Sequence, residues 1–126
     1  MACFLFGLGW RGGDGFASAQ ALADHVGFVL NRPVALVGKG STAIKKIAWC
    51  SGGAQSYFEA AIAAGADAFI TGELSEPQAH LARECGVAYL ACGHHATERY
   101  GAPALGAHVA GLFGLAHEFI EIDNPA

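Results

Sequence analysis

Residues 44–101 read IKKIAWCSGGAQSYFEAAIAAGADAFITGELSEPQAHLARECGVAYLACGHHATERYG, and their rhythm decides the fold. Residues 44–50 are rich in β-branched and aromatic side chains and read as a strand. Gly52 and Gly53 turn the chain into a helix expected over about 55–64, which Gly65 closes. Residues 67–71 form the next strand, Gly72 the next turn, and 77–84 the next helix. Pro77 suits the first helical position, where its missing N–H costs nothing, and Gly86 stops that helix. Residues 87–92 make a third strand, Gly93 turns, and a helix is expected over about 96–113 with a break near Pro103. Outward from this stretch, 117–122 (HEFIEI) alternates like an edge strand. Upstream, 18–31 reads as a helix capped by Ser18 and ended by Arg32-Pro33, and 34–37 as a short strand. Strands alternating with helices give an α/β fold. We expect a mainly parallel sheet of about five strands with helices on its faces.

The chain has 126 residues, enough for one domain; 1–15 read as an apolar, Gly-rich lead-in and 16–126 as the α/β domain. With 53% hydrophobic and 14% charged residues the composition is that of a packed protein, not a disordered one. A net charge of −4 gives no electrostatic footprint for nucleic acid. The apolar start is about half the roughly 20 residues of a membrane span and lacks a basic leader, so no membrane is expected. Four widely spaced cysteines without a CxxC pair read as reduced thiols of a cytoplasmic protein.

Three loops carry nearly all the chemistry-bearing residues: 51–55, 71–76 and 93–98. In a parallel sheet they emerge together at the carboxyl ends of their strands, where open α/β folds bind ligands. His94 and Glu98 are four apart, so on a helix they share a face, and imidazole with carboxylate suits a divalent cation. The bland reading makes Glu98 a solvated first-turn acid and His94 a loop histidine. His95 is rotated about 100° away and cannot easily join His94 on one ion. Glu73 follows Gly72 at a strand end, placed to accept a hydrogen bond from a metal-bound water or a ligand histidine, or to be an ordinary exposed acid. Gly52 and Gly53 admit two readings: backbone N–H groups facing an anion, or a tight turn that lets helix and sheet approach.

The runs AWCSGGAQSYFEAA, DAFITGELSEPQAH, ACGHHATERYG and AGLFGLAHEFIEIDNPA resemble the C-terminal half of the NGG-one-interacting-factor-three-like family. Its members are dinuclear-metal, toroidal hexamers, often named GTP cyclohydrolase type-two homologues. The resemblance covers about 16–126 and implies a cytoplasmic homo-oligomer, a hexamer, that binds two divalent metal ions per site (zinc, manganese, iron or magnesium). It implies that His94 and Glu98 are metal ligands, with Glu98 reaching both ions, and that Glu73 and the Gly52-Gly53 turn line the cavity beside them. His95 is then a neighbour. Family members are about twice this length, and their first half supplies a histidine pair and a further acid that this sequence lacks. The expectation is a metal-dependent hydrolase half, inactive alone unless a separate N-terminal half completes it. Two alternatives stand beside it: a non-catalytic oligomeric assembly module that keeps the fold without the metal centre, and a phosphate-binding domain using the Gly52-Gly53 turn.

Overall fold

A computed structural model describes residues 7–10 and 15–125. The sheet is built around three parallel strands, β3 (Lys46–Trp49), β4 (Ala68–Thr71) and β5 (Ala88–Ala91). Two antiparallel strands flank them, β1 (Gly7–Trp10) against β3 and β2 (Ala35–Val37) against β5, giving the order β1-β3-β4-β5-β2. Helix α1 (Ala19–Leu30) connects the two outer strands. A 3-10 turn (Gln55–Tyr57) runs into α2 (Phe58–Ala63), α3 (Glu76–Cys85) follows β4, and α4 (His94–Glu98) and α5 (Gly101–Phe113) follow β5.

Each sheet face has its own core, set by the two-residue alternation of strand side chains. Phe69 and Tyr89 point to one face with Ala48, where Phe58 and Ala61 of α2 and Ala82 of α3 cover them. The three aromatic rings meet with centroids 4.8–5.6 Å apart, Phe58 edge-on to Tyr89, the offset geometry aromatic quadrupoles favour. On the opposite face Ala68, Ala88 and Leu90 pack against Ala19, Leu22 and Ala23 of α1. Ser18 caps α1, its hydroxyl accepting the Ala21 N–H at 3.0 Å, and Asn31 ends the helix in the left-handed conformation (φ 52°).

Four expectations change. The edge strand expected over 117–122 does not form: residues 115–125 adopt neither helix nor strand, and the two outer places of the sheet are held by β1 and β2. The lead-in supplies β1, whose pairing with β3 makes the first edge antiparallel. The last helix breaks at Arg99 and Tyr100 rather than at Pro103, which sits in the first turn of α5 where proline is tolerated. Cys85 and Cys92 are free, burial pushing the Cys92 thiol up to about 12, whereas Cys50 is disulfide-bonded, against the expectation of thiols throughout. No helix among the described residues is long and apolar enough to cross a membrane.

Candidate metal-binding site

Because β3, β4 and β5 are parallel, the loops that follow them share one rim of the sheet, as the strand order in the sequence implied. Past the strand ends the backbones stay linked. The Gly52 carbonyl accepts the Gly72 N–H at 2.9 Å and the buried Thr71 hydroxyl at 3.1 Å, and the Gly72 carbonyl accepts the Gly93 N–H at 2.9 Å. Thr97 closes the circuit. Its hydroxyl accepts the Gly52 N–H at 2.9 Å and donates to the Gly93 carbonyl at 2.9 Å.

This platform fixes His94 between two acids. Its Nδ1 lies 2.6 Å from Glu73 Oε1, and its Nε2 lies 3.1 Å from Glu98 Oε2, one helical turn along α4. Glu73 is held in turn: Gln55 donates to its second oxygen at 3.2 Å, and the buried Tyr89 hydroxyl donates to its backbone carbonyl at 2.6 Å. The His94 hydrogen bond, then that of Gln55, keeps the Glu73 carboxyl below its ordinary value. The same contact with Glu73, aided by the charge of Glu98, raises the His94 imidazole above its usual 6.5.

The glycines of the first loop make room for these carboxylates. Gly52 has φ +69°, and a Cβ there would strike the Glu98 carboxylate and come within 3.1 Å of His94 Nε2. A Cβ on Gly53 would sit 3.1 Å from Glu73 Oε1. Close approach is therefore the geometric role of this turn, and the Gly52 N–H is engaged by Thr97.

His94, Glu98, Glu73, Gly52 and Gly53 thus all come together. His95 turns away, its Nε2 3.2 Å from Glu121 Oε1. The sequence reading left unassigned the side chains that brace the site, Thr71, Thr97, Gln55 and Tyr89; hydroxyl and amide residues inside the three loops were the available signal for the first three. His94 Nε2 and the Glu98 carboxylate present two convergent donors of the kind that borderline divalent ions take, and Glu73 on Nδ1 provides the acid that commonly backs a ligating histidine. The donor chemistry fits one side of a metal site. It does not enclose an ion: no group of three His, Cys, Asp or Glu suited to a metal occurs among the described residues, because Glu73 stands behind the imidazole ring and not beside Glu98.

The family described as Duf34/NIF3 (NGG1p interacting factor 3) matches the chain over residues 7–125. The chain is 56% identical over 106 residues to the GTP cyclohydrolase 1 type 2 homolog of Allochromatium vinosum, covering 84% of this chain and 42% of that protein. It is 53% identical over 104 residues to the protein of the same name from Pseudomonas aeruginosa, covering 82% and 41%. Among solved structures, protein ybgI, of unknown function, superposes with a TM-score of 0.87 at 38% identity, over 97% of this chain and 49% of that one. The chain spans less than half the length of these relatives.

Proposed function

Since the chain belongs to the Duf34/NIF3 family, we propose that it contributes one side of a divalent-metal centre of the kind expected for a two-metal, hydrolase-like protein. His94 Nε2 and Glu98 are the proposed ligands, Glu73 the residue that orients His94, and Gly52 and Gly53 the wall that lets both acids approach. The observation that carries this reading is one imidazole gripped at both nitrogens, 2.6 Å from Glu73 and 3.1 Å from Glu98. A carboxylate on Nδ1 fixes the tautomer that leaves the Nε2 lone pair directed at a cation and raises its basicity. A divalent ion held there would lower the pKa of water toward neutrality, the chemistry that metal-assisted hydrolysis needs. Glu73, half-exposed at the rim, is placed to hold the His94 Nδ1 proton and so to keep the ring aimed at the ion. Further ligands would come from outside the described residues, from the additional length seen in the relatives or from a second chain.

The experiment is metal analysis of the wild type beside His94→Ala and Glu98→Ala, after loading with manganese or zinc and desalting. The wild type should retain more metal than either variant. Equal content in all three removes the reading.

An oligomeric assembly role is favoured by a separate observation. Helix α5 buries no residue, and Leu105, Leu112 and Phe113 on it and Leu115, Ile120 and Ile122 after it are exposed, Phe113 to 71% and Ile120 to 73%. So large an apolar surface is the usual mark of an interaction site, here proposed to meet further copies of the chain. Light scattering should give a mass above that of one chain; a monomer at micromolar concentration refutes it.

A further inference from the structure

Beside the proposed metal face lies a second cluster of a different character. Arg99, just past α4, is held from three sides: Nη2 donates to the Leu30 carbonyl at 2.8 Å, Nη1 to Glu121 Oε1 at 3.1 Å, and the guanidinium lies 5.7 Å from the centroid of the Tyr100 ring. His95 Nε2 reaches the same oxygen of Glu121 at 3.2 Å. Glu121 belongs to the stretch 115–125, which no helix or strand secures, and Arg32 Nη2 donates to the Pro125 carbonyl of the same stretch at 3.2 Å. Arg99 and His95 line two adjoining cavities. One, of about 280 Å³, is completed by His94, Glu98 and Asn124. The other, of about 370 Å³, also takes in Arg32 and Asn31 and the two acids Glu121 and Asp123.

Arg99 and His95 therefore already hold an oxyanion, the Glu121 carboxylate of the chain's own tail, in the larger cavity, and the same two residues line the smaller one, which reaches His94 and Glu98. We propose that His95 and Arg99 form an anion-binding arm of this site, which takes the phosphate group of a ligand in place of the Glu121 carboxylate. Two properties of the arm select a phosphate. A planar guanidinium anchored at one nitrogen keeps its other N–H groups at fixed directions, a geometry suited to oxyanions. Two neighbouring donors converging on one oxygen also favour a group with several acceptor oxygens and more than one negative charge. The placement is complementary as well: a cation at His94 and Glu98 would face an anion at His95 and Arg99 across the smaller cavity, each screening the other's repulsive neighbours. As the identity of the ligand class this rests on the metal reading, but the arm itself is a property of the chain without metal.

The test is titration of the chelator-treated full chain with inorganic phosphate at low ionic strength, read by calorimetry and by phosphorus NMR. Saturable binding is expected. Arg99→Gln should weaken it at least about tenfold, the effect of removing a charge-assisted donor. Glu121→Gln should tighten it several-fold, because the internal competitor loses its charge while Arg99 and its anchors stay. Phosphate that fails to saturate, equal affinity in Arg99→Gln, or weaker affinity in Glu121→Gln overturns the inference. Should Arg99→Gln fail to fold by circular dichroism, the direction of the Glu121→Gln change decides. His94→Ala separates the two readings: it should abolish metal retention and keep phosphate binding. Phosphate binding by a wild type that retains no metal after loading and desalting would sink the metal reading alone, and metal retention without phosphate binding would sink this one alone.

Discussion

Replacing Gly52 by alanine isolates the close approach on which the site depends. Two costs are expected. The first is conformational: at φ +69° an L-residue pays about 1–2 kcal/mol that glycine does not. The second is steric: the new Cβ would lie 2.8 Å from Glu98 Cδ and 3.1 Å from His94 Nε2, so the carboxylate must leave its 3.1 Å contact with His94. Gly86 supplies the control. It ends α3 with the same φ of +69°, but a Cβ there meets nothing within 4 Å. Gly86→Ala should therefore lower Tm by about 4–8 °C, taking about 4 °C per kcal/mol for a chain of this size, and leave metal retention intact. Gly52→Ala should lower Tm further and reduce metal retention to the level of Glu98→Ala. Differential scanning calorimetry and metal analysis of both variants provide the readings. If the two variants melt together and both retain metal as the wild type does, the close-approach reasoning is wrong.

Phe69→Ala removes one ring of the Phe58–Phe69–Tyr89 cluster from a fully buried strand position and should cost about 3–5 kcal/mol in urea unfolding; a loss below about 1 kcal/mol would mean that this face is not the core. For Glu73→Gln, proton NMR of the metal-free protein should show the His94 midpoint, above 6.5 in the wild type, moving down. The sign follows from linkage: raised His94 stabilises the fold at low pH and loses this as pH rises through its folded pKa, while lowered Glu73 stabilises it above 4.5 and loses this on acidification through its own. The pair therefore helps most between those limits, and Glu73→Gln should flatten the pH dependence of Tm in that window. An unchanged His94 midpoint refutes the contact.

Elements whose local signals agree were legible in the sequence. Ser18 and Arg32-Pro33 bracket α1, Pro77 and Gly86 mark the start and stop of α3, and the β-branched or aromatic runs at 46–49, 68–71 and 88–91 became the parallel centre. What depends on partners elsewhere was not. HEFIEI has the alternation of a strand but pairs with none, whereas the glycine-rich GLGW at Gly7–Trp10 has little strand pattern and gains its ladder from β3. The site divides in the same way. The i, i+4 spacing on a short helix was enough to bring His94 and Glu98 together, and parallel strands were enough to bring Glu73 beside them. That Thr97 reaches across to Gly52, or that Arg99 meets Glu121, depends on how loops fold over one another, and no spacing along the chain encodes it.

The lacing of Gly52, Gly72 and Gly93 by one another and by Thr71 and Thr97 has a consequence for motion. Connecting segments ordinarily open independently of the elements they join, but here three of them share bonds with the central strands, so their amides should exchange with solvent only when the sheet itself opens. The rim behaves as an extension of the sheet, and side chains at 73, 94 and 98 can be exchanged on a base that does not shift beneath them.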